Sequence, residues 1–322
     1  MKIKTIQNKS IKATPSISIL DSAINAGLMF EYSCKNGQCG ECKVTLLQGE
    51  IEELQPQMAL SDSDRRNKKI LNCCCAPKTD ILIDSEDLSA LKGIEIKTFP
   101  VRINKIEKKT EKIVEVELRL PPSANLTFLE GQYIDVIGPN NVRRSYSIAN
   151  STNHNTIVLW IKMVEGGKLS QYWFNEAQKN DLLRIEGPKG TFFFREEQKR
   201  IILLATGTGI APIKSILDKL AQTSSNLIIS LYWGNRTPED FFWQPEYKNL
   251  DFKYTPVLSR NNDSWINKIG YVQNVALEEY KQLEDTEVYA CGSIEMIASA
   301  KELFIKHGLE EKDFHSDAFV SS

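Results

Sequence analysis

A cluster of cysteines in the first quarter of the chain most constrains what this sequence can form. Three of them follow the spacing Cys34-x4-Cys39-x2-Cys42, and a run of three adjacent cysteines begins at Cys73, about thirty residues further on. That spacing is typical of a plant-type [2Fe–2S] site, in which four cysteine thiolates hold two irons. Zinc also takes four cysteines, but usually from paired C-x2-C knuckles, and only one such pair is present. The pattern predicts an iron–sulfur site, with zinc as the alternative.

The fourth ligand lies in the segment ILNCCCAPKTD. This segment resembles the ferredoxin ending in which an apolar pair and one small polar residue precede the ligand, and that register selects Cys73. Cys74 and Cys75 are then interpreted as small buried residues, because free cysteines are commonly buried. The total of seven cysteines is odd, which fits a disulfide framework badly.

Composition excludes several classes of function. The 322 residues hold 40 Lys plus Arg against 42 Asp plus Glu, so the chain lacks the basic excess of a nucleic-acid binder. No apolar run approaches the roughly 18–20 residues that span a membrane, and the basic start lacks the apolar stretch of a signal peptide. We therefore predict a cytoplasmic protein with neither a nucleic acid nor a membrane as partner.

Hydrophobic patterning divides the chain into three predicted domains. Residues 1–90 combine short alternating strands with one short helix that begins near Asp21 or Ser22, which predicts an α+β ferredoxin domain of the β-grasp type. Residues 97–196 contain several short alternating strands, which favours an antiparallel β-barrel. Residues 197–322 alternate continuous apolar strands with helices, which predicts a doubly wound α/β domain.

Three motifs outside the cysteine region are weak when taken singly. LLATGTGIAP is a strand, a turn with Gly207 and Gly209, and a helix; it suits a phosphate but is also an ordinary βα turn. RRSYSIAN offers an arginine and hydroxyls on one strand, which is common on a solvated strand as well. MVEGGKLSQYW places Gly167 and Ser170 before a helix, where they suit a pyrophosphate or simple N-capping by Ser170.

The order of the motifs is more informative than any one of them. The cysteine loop, RSYS, GGKLS, GTGIAP, YACGS and SDAFV occur in the order seen in the ferredoxin–NADP⁺ reductase superfamily, and the chain resembles members fused to an N-terminal ferredoxin over essentially its whole length. The resemblance implies a [2Fe–2S] cluster, FAD in the barrel domain and NADH in the last domain. NADPH is the weaker alternative: Arg236 could meet a 2′-phosphate, whereas Glu239 or Asp240 would favour a ribose hydroxyl.

The resemblance also implies the flavin-side residues. Arg144 would hold the flavin pyrophosphate, Tyr146 would pack on the isoalloxazine, and Ser147 would hydrogen-bond near its N5. The second phosphate segment would be Gly167, Lys168, Leu169 and Ser170.

On the nucleotide side, the resemblance implies a phosphate-binding turn and residues beside the nicotinamide and the flavin. The cradle for the dinucleotide would be Gly207, Thr208 and Gly209. Cys291 and Gly292 would lie beside the nicotinamide, with Asp317 and Phe319 of the tail near the flavin. Ser147, Cys291 and Asp317 are the implied catalytic residues, although without the resemblance Cys291 is better interpreted as a buried thiol at a strand end.

The activity that the resemblance implies is transfer of electrons from NADH through the flavin to the cluster, because a flavin accepts a hydride and releases electrons singly. The acceptor would be a pyridoxamine-phosphate-dependent CDP-hexulose 3-dehydrase of 3,6-dideoxyhexose biosynthesis. The alternative acceptor is a component of an aromatic-ring or methane oxygenase. A non-catalytic electron carrier is a third hypothesis, which the intact RSYS and GTGIAP segments oppose.

Overall fold

The computed structural model describes residues 1–14, 16–85, 87–152, 155–195, 198–223, 226–260 and 264–319. These fall into two compact units. The first contains residues 1–94, residues 190–192 and the end of the chain from Ala318; the second contains residues 95–189 and 193–317. No helix in the described ranges is long and apolar enough to cross a membrane. The domain boundaries given above stay predictions.

The first unit is built on a five-stranded mixed sheet with a separate two-stranded ladder. Its strands are β1 (Lys2–Thr5), β2 (Ser10–Lys12), β3 (Lys43–Gln48), β4 (Ile51–Glu53), β5 (Lys69–Leu71), β6 (Cys75–Pro77) and β7 (Ile81–Ile83). The sheet order is β2-β1-β7-β3-β5, with β1 and β7 parallel, and β4 pairs with β6. The helices are α1 (Ile19–Asn25) and α2 (Asp62–Arg66). This is the predicted ferredoxin-like α+β arrangement.

Helix α1 begins earlier than predicted. Its N-cap is Ser18, whose hydroxyl accepts a hydrogen bond from the Asp21 amide at 3.0 Å, so neither Asp21 nor Ser22 is the cap. Ile19 and Leu20 form the first turn and are fully buried. Because both residues are apolar, they fit the end of a strand as well as the first turn of a helix. The bond to Ser18, together with their burial in the core, selects the helix.

The second unit begins with a six-stranded antiparallel sheet. Its strands are β8 (Lys97–Thr110), β9 (Ile113–Arg119), β10 (Tyr133–Ile137), β11 (Arg143–Ser147), β12 (Thr156–Lys162) and β13 (Leu182–Lys189). Their order is β11-β10-β13-β8-β9-β12, and an antiparallel bridge between Ile148 and Leu159 joins the two ends. The predicted antiparallel barrel is therefore confirmed. Helix α3 (Lys168–Gln171) continues as a π-helical turn, Tyr172–Glu176, which buries Trp173 in the barrel core.

A parallel sheet follows the barrel. Its strands are β14 (Arg200–Thr206), β15 (Ile228–Asn235), β16 (Asp251–Leu258), β17 (Lys268–Ile269), β18 (Thr286–Ser293) and β19 (Phe314–Phe319), and its helices are α4 (Ile210–Leu220), α5 (Val272–Glu279) and α6 (Ile294–Lys306). The order β17-β16-β15-β14-β18-β19 places β14 beside β18. The strand order reverses there, and ligands of doubly wound sheets bind at such a switch point.

An ion-pair network on the barrel should make stability depend on pH. Glu186 bonds to Arg143 and Lys189, and these two cations lower the pKa of Glu186 to about 2. A lowered carboxyl pKa adds stability above about pH 5, and this is lost as the pH falls towards 2. Because the Glu186 side chain is 26% exposed, we expect Glu186→Gln to cost about 1–2 kcal/mol at pH 7 and roughly half of that at pH 3.

Thermal unfolding midpoints at the two pH values measure this effect. The matched control is Glu107→Gln, which removes an exposed pair with Lys105 and should change neither midpoint. Equal loss at pH 7 and pH 3 for Glu186→Gln would show that its charge is not what stabilises the barrel.

Candidate functional site

The four predicted cluster ligands form two pairs of thiols. Cys42 Sγ lies 3.1 Å from Cys73 Sγ. The Cys39 thiol bonds to Cys34, and the Cys39 amide donates to Cys34 Sγ at 3.4 Å. A two-iron cluster held by four thiolates needs two on each iron, whereas a zinc site needs all four around one ion. The pairing fits the predicted two-iron cluster better than zinc.

The loop of residues 34–42 turns its amides towards Cys34. The bond from the Cys39 thiol contributes most to lowering the pKa of Cys34 to about 5, and the amides of Asn36, Cys39 and Gln38 lower it further. The same bond, together with burial, raises the pKa of Cys39. Hydrogen bonds of this kind stabilise a thiolate, which is the form that binds metal.

Close packing fixes the path of this loop. Gly37 has φ +78°, and a Cβ there would lie 2.4 Å from the Pro56 carbonyl oxygen and 2.9 Å from Cys74 Sγ. Any side chain at Gly37 therefore meets backbone in a conformation that already disfavours it.

We expect Gly37→Ala to displace the loop and to reduce cluster content several-fold, because the ligands would no longer converge. Iron and sulfide content with visible absorbance measure the loss. Gly27→Ala is the matched control: Gly27 has φ +79°, but a Cβ there meets nothing within 4 Å. If both variants lose the cluster equally, backbone strain rather than crowding at Pro56 is responsible.

A buried amide next to Cys73 also fits a group that accepts hydrogen bonds. Asn72 is fully buried, and both of its side-chain polar atoms lack a hydrogen-bond partner among the described residues. A buried amide left unsatisfied costs about 1–3 kcal/mol. Sulfur atoms of a cluster held at Cys73 are acceptors that such an amide can use. In the sequence, Asn72 is the small polar residue that sets the register of Cys73, and no contact with the cluster was predicted for it.

The predicted flavin residues lie on β11. Arg144 and Tyr146 are two residues apart and so share one face of the strand, while Ser147 points to the other. Arg144 is exposed and free to reach an anion, with Nη1 donating to the Arg143 carbonyl at 2.8 Å. The Tyr146 hydroxyl accepts a bond from Trp173 Nε1 at 3.1 Å, and burial raises the pKa of Tyr146 to about 12.

The second phosphate segment forms the start of α3. Its N-cap is Gly167, and the Ser170 hydroxyl instead accepts a bond from the Val164 amide at 2.9 Å. The alternative of simple N-capping by Ser170 is therefore wrong. The amides of Lys168 and its neighbours in the first turn have no intrahelical acceptor and can bind an anion. Leu169 packs on Gly138, in the turn from β10 to β11, where a Cβ would lie 2.4 Å from Leu169 Cδ1.

The turn of residues 207–209 and the strand end at Cys291 and Gly292, which are the two predicted nucleotide segments, pack backbone to backbone at the switch point. A Cβ on Gly209 would lie 2.3 Å from the Cys291 carbonyl oxygen, and one on Gly292 would lie 2.0 Å from Thr206 Oγ1. Trp233 Nε1 also donates to the Gly207 carbonyl at 2.9 Å, which fixes the turn that contains Thr208. Neither Thr206 nor Trp233 was predicted from the sequence, although the position of Thr206 at the end of β14 was a usable signal.

Asp317 joins this group through its backbone. Cys291 Sγ donates to the Asp317 carbonyl at 3.2 Å. Cys291 is fully buried, and burial raises its pKa well above the ordinary value, so its thiol is neutral. The simple interpretation of a buried thiol at a strand end describes its surroundings correctly. Phe319 falls in the first compact unit, unlike the other predicted flavin and nucleotide residues.

One hydrogen bond connects the flavin motif with the nucleotide motif. Ser215 Oγ of α4 donates to the carbonyl of Asn150, at the end of RRSYSIAN, at 2.8 Å. Trp160 of β12 also packs against Phe242 and Trp243, with ring centroids 5.1 and 5.5 Å apart. Two motifs separated by about sixty residues are thereby held in one compact unit. The sequence did not predict that Asn150 and Ser215 connect the two motifs.

Arg236, Glu239 and Asp240 all follow the carboxyl end of β15, the strand next to β14. Arg236 and Glu239 are exposed. The arginine that would favour NADPH and the acidic residues that would favour NADH therefore lie at the same edge of the sheet, and the preference for NADH stays a prediction.

The three histidines lie outside these motifs. His315 is buried, with Nε2 3.2 Å from Glu287 Oε1 and its ring 4.8 Å from that of Tyr289, so it is a packing residue. His307 is exposed at the end of α6, and His154 lies outside the described residues.

Comparison with known proteins finds three matching domains along the chain, in the order predicted from the sequence. A 2Fe-2S iron-sulfur cluster binding domain matches residues 4–78, an oxidoreductase FAD-binding domain matches 100–194, and an oxidoreductase NAD-binding domain matches 203–302. The chain is 41% identical over 312 residues to the CDP-6-deoxy-L-threo-D-glycero-4-hexulose-3-dehydrase reductase of Yersinia pseudotuberculosis serotype I, covering 95% of this chain and 94% of that one. It belongs to the ferredoxin-fused branch of the ferredoxin–NADP⁺ reductase superfamily.

More distant relatives of this ferredoxin-fused reductase include oxygenase components. The phenol hydroxylase P5 protein of Acinetobacter pittii is 30% identical, over 97% of this chain and 92% of that one. The crystal structure of the Amycolatopsis cytochrome P450 reductase GcoB matches with a TM-score of 0.75 at 23% identity, over 100% of this chain and 99% of that one, which shows the shared fold.

The ferredoxin-fused reductase is accordingly an NAD(P)H-dependent oxidoreductase with domains for a [2Fe–2S] cluster, FAD and NAD. Its relatives include a reductase named for a CDP-hexulose 3-dehydrase and a reductase component of a terephthalate 1,2-dioxygenase of Comamonas.

Proposed function

We propose that this reductase passes electrons from NADH to a CDP-hexulose 3-dehydrase in 3,6-dideoxyhexose biosynthesis. The observation that carries the proposal is the hydrogen bond from Ser215 to Asn150, which holds the flavin and nucleotide motifs together in a chain that also pairs its cluster cysteines. The choice of acceptor rests on the 41% identity to the dehydrase reductase of Yersinia pseudotuberculosis.

On the flavin side, each residue has a role that its position supports. Arg144 and the first-turn amides of α3 would bind the pyrophosphate of FAD. Tyr146, held by Trp173, would support the isoalloxazine, and Ser147 would donate a hydrogen bond near N5. When bound, the flavin accepts a hydride and releases electrons one at a time.

At the switch point, the turn of residues 207–209 would bind the dinucleotide phosphates through its amides. Gly292 leaves no side chain between that turn and the strand end, so the nicotinamide can approach closely. The neutral Cys291 thiol would pack beside the nicotinamide without adding a charge, and Asp317 is positioned by its own carbonyl bond to Cys291. Cys34, Cys39, Cys42 and Cys73 would bind the cluster.

A second electron-accepting protein is proposed as the alternative because of one specific observation. The phenol hydroxylase P5 protein is 30% identical over nearly the whole chain, so an oxygenase component is the alternative acceptor. For the location we propose the cytoplasm, because cysteines remain reduced there and can serve as thiolate ligands.

Anaerobic NADH oxidation tests the acceptor. The reductase, with flavin and cluster loaded, is mixed with a CDP-hexulose 3-dehydrase and CDP-4-keto-6-deoxyglucose. We expect NADH consumption that requires the dehydrase and yields a 3-deoxy sugar. A loaded reductase that reduces ferricyanide with NADH but gives no sugar turnover would exclude this acceptor and favour the oxygenase component.

A further inference from the structure

Cys74 lies against the proposed fourth ligand. Its Sγ is 3.5 Å from Cys73 Sγ, and the residue is fully buried. The other acceptor within reach, the Pro56 carbonyl oxygen, is more distant at 3.8 Å. Among the residues that the structure describes, the nearer of these two acceptors for the Cys74 S–H is the sulfur of Cys73; the Gln55 side chain also bonds to the Cys74 sulfur.

Metal ligation decides the direction of the hydrogen bond between them. A ligating cysteine is a thiolate and has no proton to donate, whereas a non-ligating thiol in a buried site keeps its proton. With Cys73 as ligand, the S–H of Cys74 is the donor. A charged sulfur is also a stronger acceptor than a peptide carbonyl, so the nearer bond is favoured over the one to Pro56.

We propose that Cys74 tunes the reduction potential of the cluster by donating an S–H···S hydrogen bond to Cys73. Reduction adds negative charge to the cluster and its ligand sulfurs. A donor to one of those sulfurs stabilises the reduced form more than the oxidised form and so raises the potential. Cys74 is thus a positioning residue that acts through Cys73, and the proposal rests on ligation by Cys73.

The neighbouring cysteine is a matched control. Cys75 is equally buried and begins β6, where it stands opposite Glu53 of β4. Replacing Cys75 by Ala removes the same atoms from an adjacent, equally buried position. Any effect of a small cavity alone should therefore be similar in Cys74→Ala and Cys75→Ala.

The test is a redox titration of the loaded full-length protein, followed by visible absorbance and electron paramagnetic resonance. We expect Cys74→Ala and Cys74→Val to shift the potential in the negative direction by at least twice the shift of Cys75→Ala. Cys74→Ser keeps a donor and should restore the potential to the wild-type value or above. Cluster content should be unchanged in all four variants.

Two results would overturn the proposal. One is a potential in Cys74→Ala and Cys74→Val that matches that of Cys75→Ala. The other is loss of the cluster in Cys74→Ala, Cys74→Val and Cys74→Ser but not in Cys75→Ala, which would make Cys74 the ligand. Neither result bears on sugar turnover by the unchanged protein, so failure here and failure of the proposed acceptor remain distinguishable.

Discussion

Cys39→Ser should remove the visible absorbance of the cluster while leaving reduction of the flavin by NADH within about twofold of the unchanged protein. Cys39 is bonded to Cys34 in one of the two thiol pairs, so its loss leaves one iron with a single thiolate. The nucleotide and flavin motifs, apart from Ala318 and Phe319 of the tail, lie in the other compact unit and keep their contacts. Electron delivery to the acceptor protein should fall to background. Stopped-flow absorbance with NADH separates the two steps.

The controls for this result are Cys74→Ser and Cys75→Ser, which replace buried cysteines near the same site and should keep the cluster. A Cys39→Ser protein that still reduced its acceptor at the normal rate would show that electrons do not pass through the cluster. Loss of the cluster in Cys74→Ser or Cys75→Ser would move the fourth ligand away from Cys73.

Gly292→Ala should slow flavin reduction by NADH about 100-fold. The new Cβ would stand 2.0 Å from Thr206 Oγ1 and 3.2 Å from the Thr206 backbone nitrogen, so the end of β18 must move away from the turn that follows β14. A displacement of about 1 Å between reacting groups is enough for a loss of this size. The measurement is the rate of flavin bleaching at saturating NADH, with cluster absorbance expected to be unchanged.

Gly308→Ala is the matched control for this variant. Gly308 also has a positive φ, +98°, but a Cβ there meets nothing within 4 Å. It should cost about 1–2 kcal/mol of stability from backbone strain and leave flavin reduction unchanged. If Gly308→Ala slows flavin reduction as much as Gly292→Ala does, the effect comes from general destabilisation of the sheet rather than from the nucleotide site.

The fold was largely predictable because each domain has its own periodicity. KIVEVELRL alternates as a half-buried antiparallel strand does, and IILLAT is continuously apolar as a strand covered on both faces is. The start of α1 was not predictable in the same way. Ile19 and Leu20 fit a strand or a helix equally well, and only the core that receives them, together with the bond to Ser18, selects the helix.

The sequence alone determined the chemistry that this protein can hold, because the spacing of cysteines and glycines and the order of the motifs are properties of the chain. Tertiary structure decided which of these residues meet. The pairing of Cys42 with Cys73, the contact of Gly292 with Thr206, and the bond from Ser215 to Asn150 all join residues at least thirty positions apart. Such contacts depend on sheet order and strand register, which are set by the burial of whole faces and not by local sequence.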